Sequence, residues 1–269
     1  MSRPNDAPAH QAAVDSLFDA EVGLWHDLYH SSTLRGHVYQ ERQRAALAWV
    51  DSLALPVPQR ALDVGCGAGE LSVALADRGF KVDAIDGSDE MLSRVRNRGH
   101  ANVRPSRGDV NTLAYDSGTF DLVVALGVLP WISSPRVAIG EIQRVLRPGG
   151  YAILTSDNRY RLTFLIDPRM NPPGRALKEA ARRVVGLPRY TGPHRYDAPR
   201  MIERLVREIG FHIESTRTIG FGPFTFLGAN VLPERAGIRI HHALQSLADR
   251  RIPPISHLGA HHILLAKRH

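Results

Sequence analysis

Apolar residues recur along the chain with two different spacings, and the spacing changes near residue 58. Over residues 11–53 the apolar positions recur at steps of three and four, which predicts amphipathic helices. The stretch LPVPQR at 55–60 interrupts this pattern and indicates a boundary. The sequence therefore predicts an N-terminal helical lid, residues 1–57, ahead of a domain that spans residues 58–269.

Short apolar runs alternate with amphipathic stretches between residues 60 and 157. The amphipathic stretches carry helix-boundary residues, such as Ser88 as an N-cap before two acids and Gly99 beyond the last turn. Strands separated by helices form right-handed crossovers, which predicts an α/β fold with a parallel, doubly wound sheet. The predicted strands are RALDV (60–64), KVDAID (81–86), NVRPSRGD (102–109), FDLVVALGV (120–128) and YAILTSD (151–157), and the predicted helices cover 69–79, 88–99 and 134–150.

Five prolines interrupt the regular pattern between about residues 158 and 198. A stretch of this length inside an α/β domain is typically a cap or a substrate loop. Regularity returns with a helix at PRMIERLVREIG (199–210) and a strand at FHIESTRTI (211–219), followed by a helix around 236–249. AHHILLAKR (260–268) is predicted to be a final strand at the edge of the sheet.

The stretch ALDVGCGAGE, residues 61–70, places three glycines directly after the first predicted strand. Glycine permits positive φ and close approach of a ligand to the backbone, and the turn leads into a helix N-terminus. Asp86 ends the next strand, 21 residues beyond Gly65. A carboxylate at that distance accepts hydrogen bonds from ribose hydroxyls in nucleotide-binding folds, so the stretch predicts a nucleotide site.

The glycine spacing argues against a dinucleotide. The turn reads G-x-G-x-G-E, so that Glu70 occupies the position of the third glycine in a dinucleotide motif. Glu70 would repel a pyrophosphate at the helix N-terminus, and Asp63 adds a second negative charge. Two carboxylates beside an adenosine site suit a cationic ligand without phosphate, and S-adenosylmethionine has this chemistry.

Four motifs in order resemble those of the class I S-adenosylmethionine-dependent methyltransferases. They are LDVGCGAG, VDAIDGSDEML, RGDVNTLAYDSGTFDLVVALGVLPWI and EIQRVLRPGGYAILTSDN, and together they cover roughly residues 58–157. HRYDAPRMIERLVREIGF, after the proline-rich stretch, is similar to ubiquinone-type O-methyltransferases among the small-molecule, type 11 members. The resemblance implies a Rossmann-like, seven-stranded sheet, mostly parallel with the last strand antiparallel, with N-terminal helices and an inserted cap at about 158–198.

The resemblance also implies which residues contact the cofactor, S-adenosyl-L-methionine. The glycine turn would pass under its methionine part with Asp63 near the amino group, and Asp86 would hold the ribose. Asp109 and Val110 would contact adenine, and Leu126 would face the methyl group. Asp63 or Asp109 could instead cap a turn, and Cys66 fits the turn as a small residue. The full predicted set is Asp63, Gly65, Cys66, Gly67, Asp86, Gly87, Ser88, Met91, Asp109, Val110 and Leu126.

Methyl transfer needs a base only when the acceptor is a weakly acidic hydroxyl or a protonated amine. His194 in TGPHRYD follows the cap, where ubiquinone-type members also have a histidine, and we take it as the candidate base. The alternative is a structural or surface histidine. The pairs His241–His242 and His261–His262 are not expected to bind metal, because adjacent residues on a strand point to opposite faces and no cysteine or acidic cluster completes a site.

The formal net charge of +7 is concentrated in one segment. Residues 159–207 contain twelve Lys or Arg and four Asp or Glu. Such a segment suits an acidic substrate, nucleic acid or an anionic membrane surface, or it forms a solvated arginine-rich face. Nucleic acid is not favoured, because the segment has few aromatic residues and no RNA-binding module accompanies it.

The sequence thus predicts an S-adenosylmethionine-dependent methyltransferase that acts on a small, hydrophobic metabolite, most plausibly at oxygen. The alternatives are an RNA or protein methyltransferase that docks through residues 159–207, and a cofactor-binding protein without turnover. A single cysteine, no apolar run of about 20 residues and no visible secretory signal predict a cytoplasmic location.

Overall fold

A seven-stranded sheet forms the centre of the protein, in the order β3-β2-β1-β4-β5-β9-β6. The structure is a computed structural model, and it describes residues 28–170 and 194–269 together with Val14, Pro173 and Ala180. Strands β1 to β5 are mutually parallel, whereas β9 is antiparallel to both of its neighbours. The strands are β1 (Arg60–Val64), β2 (Lys81–Asp86), β3 (Val103–Arg107), β4 (Phe120–Ala125), β5 (Leu146–Asp157), β6 (Phe211–Ile219) and β9 (His261–Arg268), with a separate hairpin of β7 (Thr225–Phe226) and β8 (Ala229–Asn230).

Helices cover both faces of the sheet, as the alternating pattern predicts. Helices α4 and α6 pack on one face, for example through Ile142 and Val206. Helices α1 and α2 pack on the other face, for example through Ala46 and Leu75. The helices of the described residues are α1 (Leu34–Ser52), α2 (Glu70–Ala76), α3 (Asp89–Arg98), α4 (Pro135–Val145), α5 (Leu162–Ile166), α6 (Pro199–Ile209) and α7 (Glu234–Asp249). The fold is therefore the Rossmann-like, doubly wound α/β fold that the sequence predicts.

Helix α3 begins and ends at the residues that its sequence predicts. The Ser88 hydroxyl accepts a hydrogen bond from the Met91 backbone N–H at 3.2 Å, which satisfies one of the free donors of the first turn. Asp89 and Glu90 follow, and Gly99 ends the helix with a φ of 63°. The cap fixes the direction of α3 as the chain leaves β2, next to the predicted cofactor site.

The predicted position of the last strand is wrong. β9 lies between β5 and β6, so β6 and not β9 forms that edge of the sheet. The burial pattern explains the difference, because residues 261–266 are buried without interruption. A strand that is paired on both sides and covered on both faces shows no polar alternation. FHIESTRTI (211–219) carries the polar residues of a true edge strand.

Two further predictions differ in detail. The continuous helical pattern over 11–53 is interrupted at residues 31–33. There the Thr33 hydroxyl accepts a hydrogen bond from the Gly36 backbone N–H at 3.2 Å and starts α1. Helix α4 ends at Val145, and β5 already begins at Leu146, so that the turn at Pro148–Gly150 belongs to the strand.

The two predicted accessory segments lie partly outside the described residues. The structure describes residues 28–57 and Val14 of the predicted lid. Most of residues 171–193, in the predicted cap, lie outside the described residues. The domain boundaries at 57/58 and around 158–198 therefore stay predictions. No helix in the described part of the chain is long and apolar enough to cross a membrane.

Candidate active site

A cavity of about 560 Å³ opens where β1, β2, β4 and β5 end. Ligands of open α/β sheets bind at this edge, outside the carboxyl ends of the strands. Ser88 does not line the cavity, since it is buried as the N-cap of α3. The predicted site residues that do line it are Asp63, Gly65, Cys66, Gly67, Asp86, Gly87, Met91, Asp109, Val110, Leu126 and His194.

The glycines of the turn meet two different requirements. Gly65 has a φ of 65°, and a Cβ there would lie 2.6 Å from Val128 Cγ2. Gly67 has a φ of 53°, yet a Cβ there would meet no atom within 4 Å. Gly65 is therefore required both by its backbone conformation and by packing, whereas Gly67 is required by backbone conformation and leaves open space. Both residues line the cavity, so a ligand can approach their backbone.

Asp86 ties the turn to the start of α3. One carboxylate oxygen accepts a hydrogen bond from the Gly67 N–H at 2.9 Å. The other oxygen accepts from the Ser88 N–H, also at 2.9 Å. The carboxylate at the end of β2 thus fixes the backbone on both sides of the cavity floor.

Asp63 is buried beneath the turn, with an exposed fraction of 2%. The Ser72 hydroxyl donates a hydrogen bond to it at 2.6 Å. Burial, with the nearby charges of Asp86 and Glu70, raises the pKa of Asp63 to about 7. A cationic ligand group beside Asp63 would stabilise its charged form.

Glu70 is paired with a cation, whereas the sequence argument against a pyrophosphate treats it as an unpaired negative charge. Arg98 donates a hydrogen bond to the Glu70 carboxylate at 2.5 Å, across 28 residues of sequence. Because this partner offsets its charge, Glu70 is a weaker barrier to phosphate than its position indicates. The acidic character of the cavity floor rests mainly on Asp63 and Asp86.

Two other predicted residues also have structural partners. Asp109 Oδ1 accepts hydrogen bonds from the backbone and the side-chain nitrogen of Asn111, both at 2.8 Å. Asp109 therefore caps a turn and lines the cavity at once. Burial raises the pKa of the Cys66 thiol well above its usual value, which fits a small packing residue and not a nucleophile.

The opposite wall of the cavity contains a polar cluster centred on Asp157, the last residue of β5. Asp157 lies 2.7 Å from His261 Nδ1, 3.1 Å from His194 Nε2 and 3.0 Å from Arg161 Nη2. Burial alone would raise the pKa of Asp157, but its interactions with His261, His194 and Arg161 outweigh burial and hold the pKa well below its usual value. Asp157 therefore provides a fixed negative charge.

His194 is held between Asp157 and two aromatic rings. Its ring centroid lies 4.5 Å from Trp131 and 4.5 Å from Tyr196. Nδ1 of His194 is buried and has no hydrogen-bond partner among the residues described. When Nε2–H donates to Asp157, Nδ1 is left as an acceptor. A buried ring nitrogen without a partner, in a cavity wall, is suited to bind a polar group of a ligand.

Arg42 of α1 is a buried cavity residue that sequence reasoning missed. It donates a hydrogen bond from Nη2 to the Tyr29 hydroxyl at 2.7 Å and lies 4.6 Å above the Tyr39 ring. A Cβ on Gly127, which has a φ of 79°, would lie 2.5 Å from Arg42 Nη1. Gly127 therefore leaves room for the guanidinium, and no local sequence signal indicates this contact.

The histidine pairs have separate partners, as the strand argument predicts for His261 and His262. His262 Nε2 lies 3.2 Å from Glu203, away from Asp157. His241 lies on helix α7 and accepts a hydrogen bond from the Phe221 N–H at 3.1 Å. No cluster in the described ranges has the His, Cys, Asp or Glu side chains to hold a metal ion. The Asp157 cluster already contains a cation, Arg161.

Comparison with known proteins gives one family match and several relatives. Residues 62–154 match the family described as the methyltransferase domain. The chain is 27% identical over 184 residues to the ubiquinone biosynthesis O-methyltransferase of Thiobacillus denitrificans. This alignment covers 66% of this chain and 75% of that protein. It is 29% identical over 188 residues, with the same coverage, to the enzyme of the same name from Burkholderia multivorans.

Solved structures share the fold at lower identity. Magnesium protoporphyrin IX methyltransferase from Synechocystis PCC 6803, solved with bound SAH, aligns with a TM-score of 0.65 and 18% identity over 96% of this chain and 100% of that chain. The [4+2]-cyclase SpnF aligns with a TM-score of 0.62 and 21% identity, over 95% of each chain. Proteins with this fold thus catalyse different reactions, so the reaction has to be inferred from the residues of the site.

The family match over residues 62–154 and the relatives support a class I S-adenosylmethionine-dependent methyltransferase, and the solved structures share its fold. The family description and the names of the relatives support methyltransferase activity with S-adenosylmethionine as the cofactor. The predicted fold is confirmed, and the comparisons support the predicted family and cofactor.

Proposed function

We propose that the protein transfers a methyl group to an oxygen atom of a small, largely apolar acceptor. The observation that carries the proposal is the His194–Asp157 pair, which shares one cavity with the glycine turn. The ubiquinone biosynthesis O-methyltransferases among the relatives support a small molecule and an oxygen acceptor.

The first half of the cavity is proposed to hold the cofactor. Gly65 and Gly67 would lie under its methionine part, with the buried carboxylate of Asp63 near the ammonium group. Asp86 would accept hydrogen bonds from the ribose, next to Gly87 and Ser88. Asp109 and Val110 would contact adenine. The support is that these residues, apart from Ser88, line the same cavity, at the ends of β1, β2 and β3.

The second half is proposed to bind and activate the acceptor. When bound, S-adenosylmethionine supplies an electrophilic methyl group on a sulfonium sulfur. His194 would take the hydroxyl proton of the acceptor on Nδ1, as the oxygen forms its bond to the methyl carbon and the carbon–sulfur bond breaks. Asp157 would stabilise the resulting imidazolium through the Nε2–H. Asp157 is thus a positioning residue for His194.

The apolar character of the acceptor is inferred from the side chains next to His194. Val128, Pro130, Trp131 and Ile132 line the cavity on this side. The apolar segment 219–233 does not contribute to this lining. Its phenylalanines at 221 and 224 instead belong to a buried cluster that includes Leu34 and Ala248.

Docking of RNA or protein on the basic segment is not favoured. Several of its arginines have internal partners, since Arg161 pairs with Asp157 at 3.0 Å and Arg195 with Asp197 at 3.0 Å. Paired guanidinium groups contribute less to an attractive surface than the bare charge count suggests. A salt-dependent mobility shift with RNA would revive this alternative.

The proposal is tested with apolar acceptors of matched size that offer a hydroxyl, an amine or a thiol. We expect methylated oxygen as the product. His194→Gln should lower kcat by about 10²-fold or more for a weakly acidic hydroxyl, because the proton then lacks an acceptor. The defect should shrink for a phenol already ionised at the assay pH. His257→Gln, on an exposed histidine, is the control. Methylated nitrogen, or full activity of His194→Gln on all acceptors, would contradict the proposal.

A further inference from the structure

The hairpin of β7 and β8 has an unusual tip. Its two turn residues, Leu227 and Gly228, have φ values of 52° and 85°. Two-residue hairpin turns with positive φ at both positions favour Asn, Asp or Gly at the first position. Leucine there is strained in its backbone, because its Cβ crowds the following carbonyl oxygen, and its side chain is also 58% exposed. The fold therefore holds a large apolar side chain in an unfavourable conformation in water.

The surrounding contacts fix this tip in place. The carboxylate of Asp167 accepts hydrogen bonds from the Leu227 N–H at 3.1 Å and the Gly228 N–H at 3.0 Å, and from the Thr225 hydroxyl at 2.9 Å. Arg169 donates a hydrogen bond to the Leu227 carbonyl at 2.9 Å. The hairpin is thus bound to the segment that follows α5, and the strain at Leu227 is maintained by specific bonds.

The two elements that Asp167 joins together expose several large apolar side chains. Residues 226–231 are all exposed. Exposed apolar side chains grouped in this way mark an interaction surface, whereas single ones do not. We call this group the apolar tip; its members, with their exposed fractions, are Leu165 (50%), Ile166 (41%), Phe226 (48%), Leu227 (58%) and Val231 (51%).

The charged groups on the segments that carry and flank the apolar tip are mainly positive, with Glu234 as the exposed acid. Over 159–170 and 225–240 the acids are Asp167 and Glu234. Asp167 is occupied by the hairpin, and the Glu234 carboxylate accepts a hydrogen bond from the Leu34 backbone N–H. The exposed ionised side chains on these segments include Arg159, Arg169, Arg235 and Arg239.

We propose that the apolar tip docks on an anionic lipid bilayer. An apolar group bordered by arginines matches the two layers of such a surface, because apolar side chains enter the acyl boundary and guanidinium groups bind lipid phosphates. Arginines near an anionic bilayer add electrostatic attraction to the negative lipid surface. The apolar tip is separate from the cavity, since none of its members lines it. The proposal therefore does not depend on the identity of the acceptor.

The test is co-sedimentation with vesicles of phosphatidylcholine containing phosphatidylglycerol, compared with vesicles of phosphatidylcholine alone. We expect binding to the anionic vesicles only. Leu227→Asn should weaken that binding at least about tenfold, while the melting temperature stays the same or rises, because Asn tolerates positive φ. Val137→Asn is the matched control, since Val137 is 47% exposed on α4 and should bind as the wild type does.

A charge variant and a soluble assay complete the test. Arg235→Glu with Arg239→Glu should lower the vesicle affinity at least about tenfold. The proposal is overturned if the wild type does not distinguish the vesicles, if Leu227→Asn binds unchanged, or if the apolar tip instead forms a dimer that Leu227→Asn abolishes in sedimentation. Methyl transfer to a soluble acceptor should be unchanged in Leu227→Asn, so failure here leaves the proposed function standing.

Discussion

The two halves of the cavity are built in different ways. The wall around Gly65, Gly67 and Asp86 comes from one short part of the chain, and its contacts run largely through backbone N–H groups. The wall around Asp157 and His194 combines β5, β9 and the segment before α6, and its contacts run between side chains. A backbone-built site tolerates many side chains nearby, whereas a side-chain cluster depends on each of its members.

This difference matches a division of labour. A cofactor that is common to a family can be held by a local turn whose glycines are set by backbone conformation. An acceptor that varies between members calls for side chains that different strands supply. We therefore expect changes in the Asp157 cluster to affect folding and turnover, and changes in the glycine-turn half to affect cofactor affinity.

Removing the charge of Asp157 should produce the largest effect. Asp157→Asn leaves Arg161, whose side chain is 14% exposed, without its counter-charge and removes the anionic partner of both histidines. The free energy of unfolding should therefore fall by about 3–5 kcal/mol. Urea unfolding measures this loss. Asp109→Asn, an exposed carboxylate in the other half, is the control and should change stability by no more than about 0.5 kcal/mol. If both variants lose the same free energy of unfolding, the proposed difference between the two halves of the cavity is contradicted.

Asp63 should give a pH-dependent effect of intermediate size. Its pKa of about 7 in the folded protein lies above the ordinary value of 3.8, so the folded state binds more protons between these limits. The contribution of Asp63 to stability therefore falls as the pH rises through this range, by about 2–3 kcal/mol between pH 5 and pH 7. Urea unfolding at both pH values should show this fall in the wild type relative to Asp63→Asn. If the free energy of unfolding changes equally with pH in the wild type and in Asp63→Asn, the raised pKa of Asp63 is contradicted.

Asp86→Ala should change the affinity for the cofactor, which is the smallest of the three effects in free energy. The loss of charged hydrogen bonds of about 1.5–3 kcal/mol should weaken binding by one to two orders of magnitude. Calorimetric titration with S-adenosylhomocysteine measures the change. His194→Gln serves as the contrast, since we expect its cofactor affinity to match the wild type. Unchanged affinity in Asp86→Ala would remove this residue from the ribose site.

The glycine-turn half could be predicted because its signals are local. The strands 60–64, 81–86 and 211–219 have the boundaries that the sequence predicts, since turn residues flank each of them. Gly65 and Asp86 lie at the ends of two such strands. Gly65 and Asp86 lie close together because β1 and β2 are parallel neighbours and end at the same edge of the sheet.

The Asp157 cluster could not be predicted in the same way. Asp157 and His261 are direct partners across the antiparallel β5–β9 pair, 104 residues apart in the sequence. The chain pattern indicates each strand but not its neighbour, which is also why the edge position of the last strand was predicted wrongly. Arg42 has the pattern of a helix surface residue, and no local signal indicates its contacts with Tyr29, Tyr39 and Gly127. His194 was found through the family resemblance and not through its spacing.

The most direct test of the account is a crystal structure with S-adenosylhomocysteine bound. We predict that the ribose hydroxyls lie within hydrogen-bond distance of Asp86, with the amino group beside Asp63. The sulfur should point toward the space between Leu126 and His194, so that an acceptor there meets both the methyl group and Nδ1. A ribose bound away from Asp86, or a cofactor that separates the sulfur from His194, would contradict the account.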